Sequence, residues 1–276
     1  MIEFAILFED AEALVIDKPG GLPLDQPRAG APSLEDQAEE LRFGFQRSPS
    51  PVHRLDRDTS GCLLLARHPR ALKRYSAAFE ARQVGKTYWG IVAGPVAEDR
   101  GTIALNLSKI SSEREGWRMI PARAGKAAVT HWRVLDRRGN LTLVEFTPET
   151  GRTHQIRVHA ASGLGHALLG DPIYGKAIQG KRTMLHAARI EVPREGKAPI
   201  IAEAPMPADF LALGFVQPVK ATPWQPPIAD ALPDNVEIAD AEIVNVAIED
   251  VTIEDVTIAD VTIEDVEIAA HEDDAG

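Results

Sequence analysis

The chain of 276 residues has one cysteine, Cys62, so no disulfide can form within it and no cysteine cluster offers a zinc site. Cys62 lies in an apolar run, where a structural thiol in a reducing compartment is expected. The stretch Met1 to Asp10 has no cationic region, and its apolar part is far shorter than a spanning helix. Neither a secretory signal nor a membrane anchor is expected, and the cytoplasm is the expected compartment. The chain has no glycine-rich phosphate loop and no Asp-Phe-Gly, which argues against phosphoryl transfer of the kinase type. His154, His159, His166 and His186 lack the i, i+4 spacing and the nearby acid pair of a hydrolytic metal centre.

Cations are missing from the last fifth of the chain. All 30 Lys and Arg lie at or before Lys220, whereas the stretch from Asp230 onward holds 16 of the 41 carboxylates. The net charge of -11 therefore divides into a body near +5, with 25 acids against 30 bases, and a tail of -16. A basic body with an acidic appendage raises the prospect of a polyanionic partner for the body. The tail is a five-residue repeat whose seven units open at Val236, Ala241, Val246, Val251, Val256, Val261 and Val266. Five is odd, so a single strand would throw successive Val/Ile pairs onto opposite faces and bury no continuous stripe. An extended or disordered acidic tail is the expectation, with a small β-solenoid as the alternative. Residues 1–218 are read as the catalytic body, 219–235 as a Pro-rich linker and 236–276 as the tail.

The body alternates short β-rich runs with few helical ones. Phe4 to Glu9 and Leu14 to Pro19 predict an opening hairpin, followed by the turn cluster Lys18-Pro-Gly-Gly-Leu-Pro. Ser33-Leu-Glu-Asp36 predicts a capped helix running to about Phe43. Pro69 opens another helix, whose Leu72, Tyr75 and Phe79 share a face that belongs in the core. Strands are expected at 61–66, 86–93, 102–107, 127–135, 141–147 and 184–192, and a mobile basic loop at 108–126. The fold class is α+β: a mixed, largely antiparallel central sheet with flanking helices.

Two dense stretches stand apart from this scaffold. His53-Arg-Leu-Asp-Arg-Asp58 puts five ionisable groups in six positions directly before the apolar run Cys62 to Ala66. Charges beside a dry core cost desolvation energy unless paired, and a functional site is the usual reason to keep them there. Asp56 is the candidate reacting group. The second stretch is Thr150-Gly-Arg-Thr-His-Gln-Ile-Arg-Val-His-Ala-Ala161, where Gly151 leads into a helical pattern carrying Arg152, His154, Gln155 and Arg157.

His53-Arg-Leu-Asp-Arg-Asp-Thr-Ser-Gly61 resembles the signature of the RluA family of RNA pseudouridine synthases. Lys18-Pro-Gly-Gly, Lys86-Thr-Tyr88, Gly151 to His159, Gly170-Asp-Pro-Ile-Tyr-Gly175 and Leu185-His-Ala187 resemble further family motifs, in the family's order, over roughly residues 10 to 215. No S4 RNA-binding domain is expected before the first motif, as in the branch that includes ribosomal large subunit pseudouridine synthase A. The resemblance implies isomerisation of a uridine in a structured RNA, an rRNA or tRNA stem-loop, by a monomer needing no cofactor or metal. It implies Asp56 as nucleophile, Arg157 as its cationic partner, and Tyr88 against the base as a candidate for removing the C5 proton. Arg54 would fill the place of the extruded base, Ile156 and Leu185 would form an apolar wall, and Arg152 and His154 would contact substrate. His53, Arg57, Asp58, Thr59 and Ser60 are expected to shape the turn. A catalytically silent RNA-binding module is the alternative. If the tail competes with RNA for the body, deleting residues 230 to 276 should tighten non-specific RNA binding at low salt; unchanged affinity in a filter-binding titration contradicts that role.

Overall fold

The apolar run behind the first charged stretch needs cover on both faces, which places it inside a sheet rather than at an edge. In the computed structural model, which describes residues 2–27, 30–112 and 116–218, it is a central strand with every residue buried. The described strands form one sheet. In chain order they are β1 (Ala5–Glu9), β2 (Ala13–Lys18), β3 (Ser50–Pro51), β4 (Ser60–Ala66), β5 (Gly85–Val92), β6 (Arg100–Ser112), β7 (Gly116–Pro121), β8 (Lys126–Arg138), β9 (Leu141–Pro148), β10 (Leu185–Val192) and β11 (Ile200–Glu203). Their spatial order is β1-β2-β4-β10-β5-β9-β8-β6-β7, with β3 on β4 and β11 on β10. β4 and β10 run parallel, with His186 opposite Ser60 and Ala187 opposite Gly61. The other described pairings are antiparallel, so the sheet is mixed and largely antiparallel, as the run pattern implied.

Helices are few. α1 (Pro69–Glu80) starts with Pro69, and the His68 ring accepts the Ala71 N–H at 3.1 Å, satisfying one of the free donors of its first turn. α2 (Gln155–Gly163) and the short α3 (Ala208–Leu211) are the other α-helices among the described residues. The core divides around the sheet. Leu14, Ile16, Leu63 and Leu65 pack with Tyr75 of α1. Val144, Phe146 and Leu185 pack with Ile156 and Ala160 of α2, and Trp89 and Ile91 pack with Phe210 and Phe215. Each such side chain contributes roughly 1.5–3 kcal/mol by leaving water.

Three sequence expectations need correction. The helix expected from Ser33 to Phe43 is two separate 3-10 turns, Glu35–Gln37 and Glu40–Arg42. The cap is present, since Ser33 Oγ accepts the Asp36 N–H at 3.3 Å and the Asp36 carboxylate accepts the Ser33 N–H at 2.9 Å. What fails is the stripe: in this stretch Leu34 and Leu41 are the buried apolar residues, seven apart, too few to hold a longer helix on the core. The mobile basic loop at 108–126 is instead largely strand, the ends of β6 and β7 paired from Leu107–Pro121 to Ser112–Gly116. Leu107 and Met119 are buried on one face of this hairpin, a period-two pattern that the count of charges had obscured. Of the aromatics on α1, Tyr75 is core, whereas Phe79 stays partly open and stacks on His53 at 4.8 Å. The linker and tail lie outside the described residues.

Gly61 marks the parallel junction of β4 and β10. Its φ of +103° is a conformation that side chains avoid, and a Cβ there would lie 2.7 Å from the Ala187 carbonyl carbon and closer still to its oxygen. Gly61→Ala should therefore lower the unfolding free energy by roughly 3 kcal/mol or more in urea titrations, and a loss below about 1 kcal/mol would contradict this reading.

Candidate active site

The loop 52–59 is held from both sides before it reaches Asp56. His53 Nε2 accepts the Leu64 N–H at 3.0 Å, and burial pushes its imidazole down to about 3, so the ring is neutral and free to accept. On the other side Lys18, fully buried at the end of β2, donates from Nζ to the carbonyls of Pro19, Leu22 and Arg57, each at 2.9 Å. Burial, helped by the nearby Arg182, pushes the Lys18 ammonium down to about 7. The Gly21 N–H adds a further bond to the Arg57 carbonyl, and Arg182 reaches the Asp58 carbonyl at 2.7 Å. Ser60 Oγ pairs with His186 Nδ1 at 2.9 Å across the parallel junction. Thus His53, Lys18, Arg182 and Ser60 hold the turn that carries Asp56.

The second stretch arrives at the same place through a different device. The helical pattern after Gly151 becomes helix only at Gln155, because His154 takes a left-handed conformation with φ of 54° and turns the chain. Gln155 is buried and satisfied: Oε1 accepts from Thr150 Oγ1 and the Arg152 N–H, while Nε2 donates to the Val129 carbonyl and Thr130 Oγ1. That places Arg157 in the first turn of α2. Its guanidinium grips Asp171 with two bonds of 2.7 Å, Nε to Oδ2 and Nη2 to Oδ1, in the fork geometry that suits a carboxylate. Asp171 is fully buried and also accepts the N–H groups of Ile173 and Tyr174. Burial alone would raise the Asp171 carboxyl, but the Arg157 guanidinium and these N–H groups hold it below the usual carboxylate range.

The remaining arm of the guanidinium points at Asp56, with Nη1 3.3 Å from Oδ2. His154 Nε2 lies 3.8 Å from the same oxygen, and its Nδ1 meets the Tyr174 hydroxyl at 2.9 Å. Burial pulls the His154 imidazole below its usual value despite the neighbouring Asp56, so it stands beside the carboxylate as a neutral ring. Asp56 itself is 24% exposed and opens into a cleft of about 290 Å³. Tyr88, from β5, lines that cleft. Burial and then the Asp56 charge push its phenol above the ordinary range, which keeps it protonated. Lys86 lines it too, its ammonium brought down to about 8 by burial, 3.5 Å from the Thr150 carbonyl.

All eight residues singled out from the sequence line this one cleft: Arg54, Asp56, Tyr88, Arg152, His154, Ile156, Arg157 and Leu185. Ile156 and Leu185 are buried wall, Arg54 is exposed, and Arg152 donates to the Ala127 carbonyl at 3.1 Å. Asp171, Tyr174, Lys18 and Lys86 had no role assigned from sequence. An Asp-Pro inside the glycine-punctuated stretch 170–175 was a signal for Asp171, since such an aspartate commonly caps a turn. A lone lysine closing an apolar strand was the signal for Lys18. Among the described residues no group of three His, Cys, Asp or Glu is placed to hold a metal, and no helix is long and apolar enough to cross a membrane.

A family model described as RNA pseudouridylate synthase matches residues 12–162. An uncharacterised RNA pseudouridine synthase of Zymomonas mobilis is 55% identical over 212 residues, covering 76% of this chain and 97% of that protein. Ribosomal large subunit pseudouridine synthase D of the same organism is 35% identical over 232 residues, covering 77% of this chain and 72% of the relative. Among solved structures, human RNA pseudouridylate synthase domain containing 1 superposes with a TM-score of 0.63 at 27% identity, over 78% of this chain and 97% of that one.

Three buried imidazoles set the acid limit of this fold. Burial takes His53, His159 and His186 from 6.5 to about 3, 4 and 4. A group whose folded value lies below its unfolded one gains its proton first in the unfolded chain, so stability drops as pH falls from 6.5 towards 4. The lowered carboxyls of Asp171 and Glu12 add a loss of the same sign, centred below their ordinary 3.8 and 4.5, whereas the raised Asp17 opposes it. Thermal unfolding followed by circular dichroism should give a Tm that falls by several degrees between pH 7 and 4.5; a flat profile would contradict the assignment.

Proposed function

The chain belongs to the RNA pseudouridylate synthase family, and we propose that its cleft isomerises a uridine of a folded RNA with Asp56 as the nucleophile. The observation that carries this reading is the contact between Asp56 and an Arg157 guanidinium clamped by buried Asp171, in a cleft that also holds Tyr88. The reaction breaks the bond between N1 and C1′ and makes one between C5 and C1′. C5 loses a proton and N1 finishes with one, so no co-reactant is consumed. Asp56 forms a covalent bond to the sugar or the base, which divides one hard step into two. Arg157 holds the carboxylate aimed until it reacts.

Tyr88 changes character during that cycle. In the free enzyme the Asp56 charge helps keep its phenol protonated, suited to stacking on the uracil and donating a hydrogen bond. Once Asp56 is esterified its negative charge is gone and one of the causes that raise the phenol disappears, so Tyr88 gives its proton to N1 of the detached base more readily and the phenolate left behind takes the C5 proton. The uridine reaches these groups by leaving its stack, at roughly a few kcal/mol and less from a loop than from a duplex. Arg54 takes the place that it vacates, and Ile156 and Leu185 form the apolar wall beside it.

We assign the substrate to an rRNA or tRNA stem-loop, a reading supported by the positive body and by the relative named for the large ribosomal subunit. The enzyme acts as a monomer through the catalytic body 1–218, with 219–235 as linker and the acidic repeat as an appendage. Asp56→Asn keeps the size of the side chain and removes the charge. It should release less than about a thousandth of the wild-type C5 tritium from uridine-labelled RNA while binding that RNA within about threefold; wild-type release by the variant would refute Asp56 as nucleophile.

A further inference from the structure

The hairpin of β6 and β7 carries an aromatic that the core does not use. Trp89 and Trp132 are 2% and 9% exposed, as expected of the largest apolar side chain, whereas Trp117 on β7 is 43% exposed. It is held all the same. Ser111 pairs with Trp117 across the hairpin, and Lys109, two residues along on the same face, places its ammonium 4.7 Å from the centre of the indole. The Trp117 ring also stacks on His154, with centroids 4.8 Å apart and planes 29° from parallel. His154 Nε2 is the group 3.8 Å from the Asp56 carboxylate, so the indole stands one imidazole away from the reacting oxygen.

A second recess of about 290 Å³ adjoins the cleft there, sharing Asp56, His154 and Arg157 with it and bounded by Leu24, Trp117 and Ile173. An RNA whose uridine enters the first cleft must run its neighbouring nucleotide past this edge, because successive nucleotides are joined by a single sugar-phosphate. We propose that Trp117 is a stacking platform for the base of a nucleotide flanking the extruded uridine, with Lys109 passing from the indole to the adjoining phosphate. This rests on the synthase reading above and adds to it a contact outside the reacting base. Stacking of a base on an aromatic ring is worth more than a cation over the same ring at an exposed site, so the base displaces the ammonium. The displaced ammonium finds a phosphate, its stronger partner. Every base has a π face, so the platform accepts any flanking base and favours an RNA that is unpaired at that position.

The test uses the full chain with Trp117→Ala, Trp117→Phe and Lys109→Ala. With total RNA labelled at uridine C5 as substrate, Trp117→Ala should raise KM about tenfold and change kcat less than about threefold. Trp117→Phe, which keeps an aromatic face, should stay within about threefold on both, and Lys109→Ala should lower the salt dependence of KM by about one unit of logarithmic slope. A loss confined to kcat, or equal losses in the Ala and Phe variants, overturns the platform in favour of a support for His154. Absence of tritium release by the wild type sinks the synthase reading instead, and the platform is then judged by fluorescence. Tryptophan emission should quench saturably on titration with short single-stranded oligouridylate in the wild type, and that quench should vanish in Trp117→Phe. No wild-type quench, or a quench that survives the substitution, overturns it.

Discussion

The site depends on the buried fork between Arg157 and Asp171. A guanidinium can be kept charged away from water only against a carboxylate, and Asp171 supplies both oxygens while two backbone N–H groups satisfy it from behind. With Nε and Nη2 spent in this way, the orientation of the whole plane is fixed and Nη1 is delivered to Asp56. The burial that makes the pair costly to break is also what makes it directional. A lysine at 157 would carry the same charge and lose that geometry. The Arg157 guanidinium also lies over the Tyr174 ring, at 5.2 Å from its centre, which closes the remaining face of the plane.

The sheet exists, functionally, to bring three distant segments to this fork. Asp56 comes from the turn before β4, Tyr88 from β5 and Leu185 from the start of β10, and β10 lies between β4 and β5. The parallel step from β4 to β10 is what permits this, since it sets the charged turn beside the start of β10. Gly61 lets the two backbones approach, and the Ser60 to His186 contact ties them on the other side of the sheet's hydrogen bonds. Lys18 secures the loop from β2 through the Arg57 carbonyl, so the fold's first motif serves the site without touching it. A hairpin with exposed Trp117 and Lys109 flanks the pocket so built.

How much of this was legible in the sequence follows from the range of the forces involved. β4 was legible because the apolar run Cys62 to Ala66 states its own environment, and Asp56 because charge crowded against that run breaks a local rule. The eight cleft residues were found through ordered motifs, and their convergence on one cleft is a tertiary fact that the motifs only implied. Asp171 stayed hidden because its partner is 14 positions away and nothing local distinguishes it from any turn aspartate. Trp117 was lost for the opposite reason: its neighbourhood reads as a basic loop when charges are counted, and as a hairpin only when alternation is followed. The Ser33 segment failed because a good cap starts a helix, but only packing sustains one.

Replacing hydrogen by fluorine at C5 of the uridine removes the proton whose departure completes the reaction, so an intermediate in which Asp56 is bonded to the base cannot resolve and should accumulate. The most direct test is to incubate the enzyme with 5-fluorouridine-substituted RNA, digest the product and sequence the RNA-linked peptide by mass spectrometry. The account predicts a nucleotide attached to the peptide that contains Asp56, at that side chain. Attachment at any other residue would contradict it.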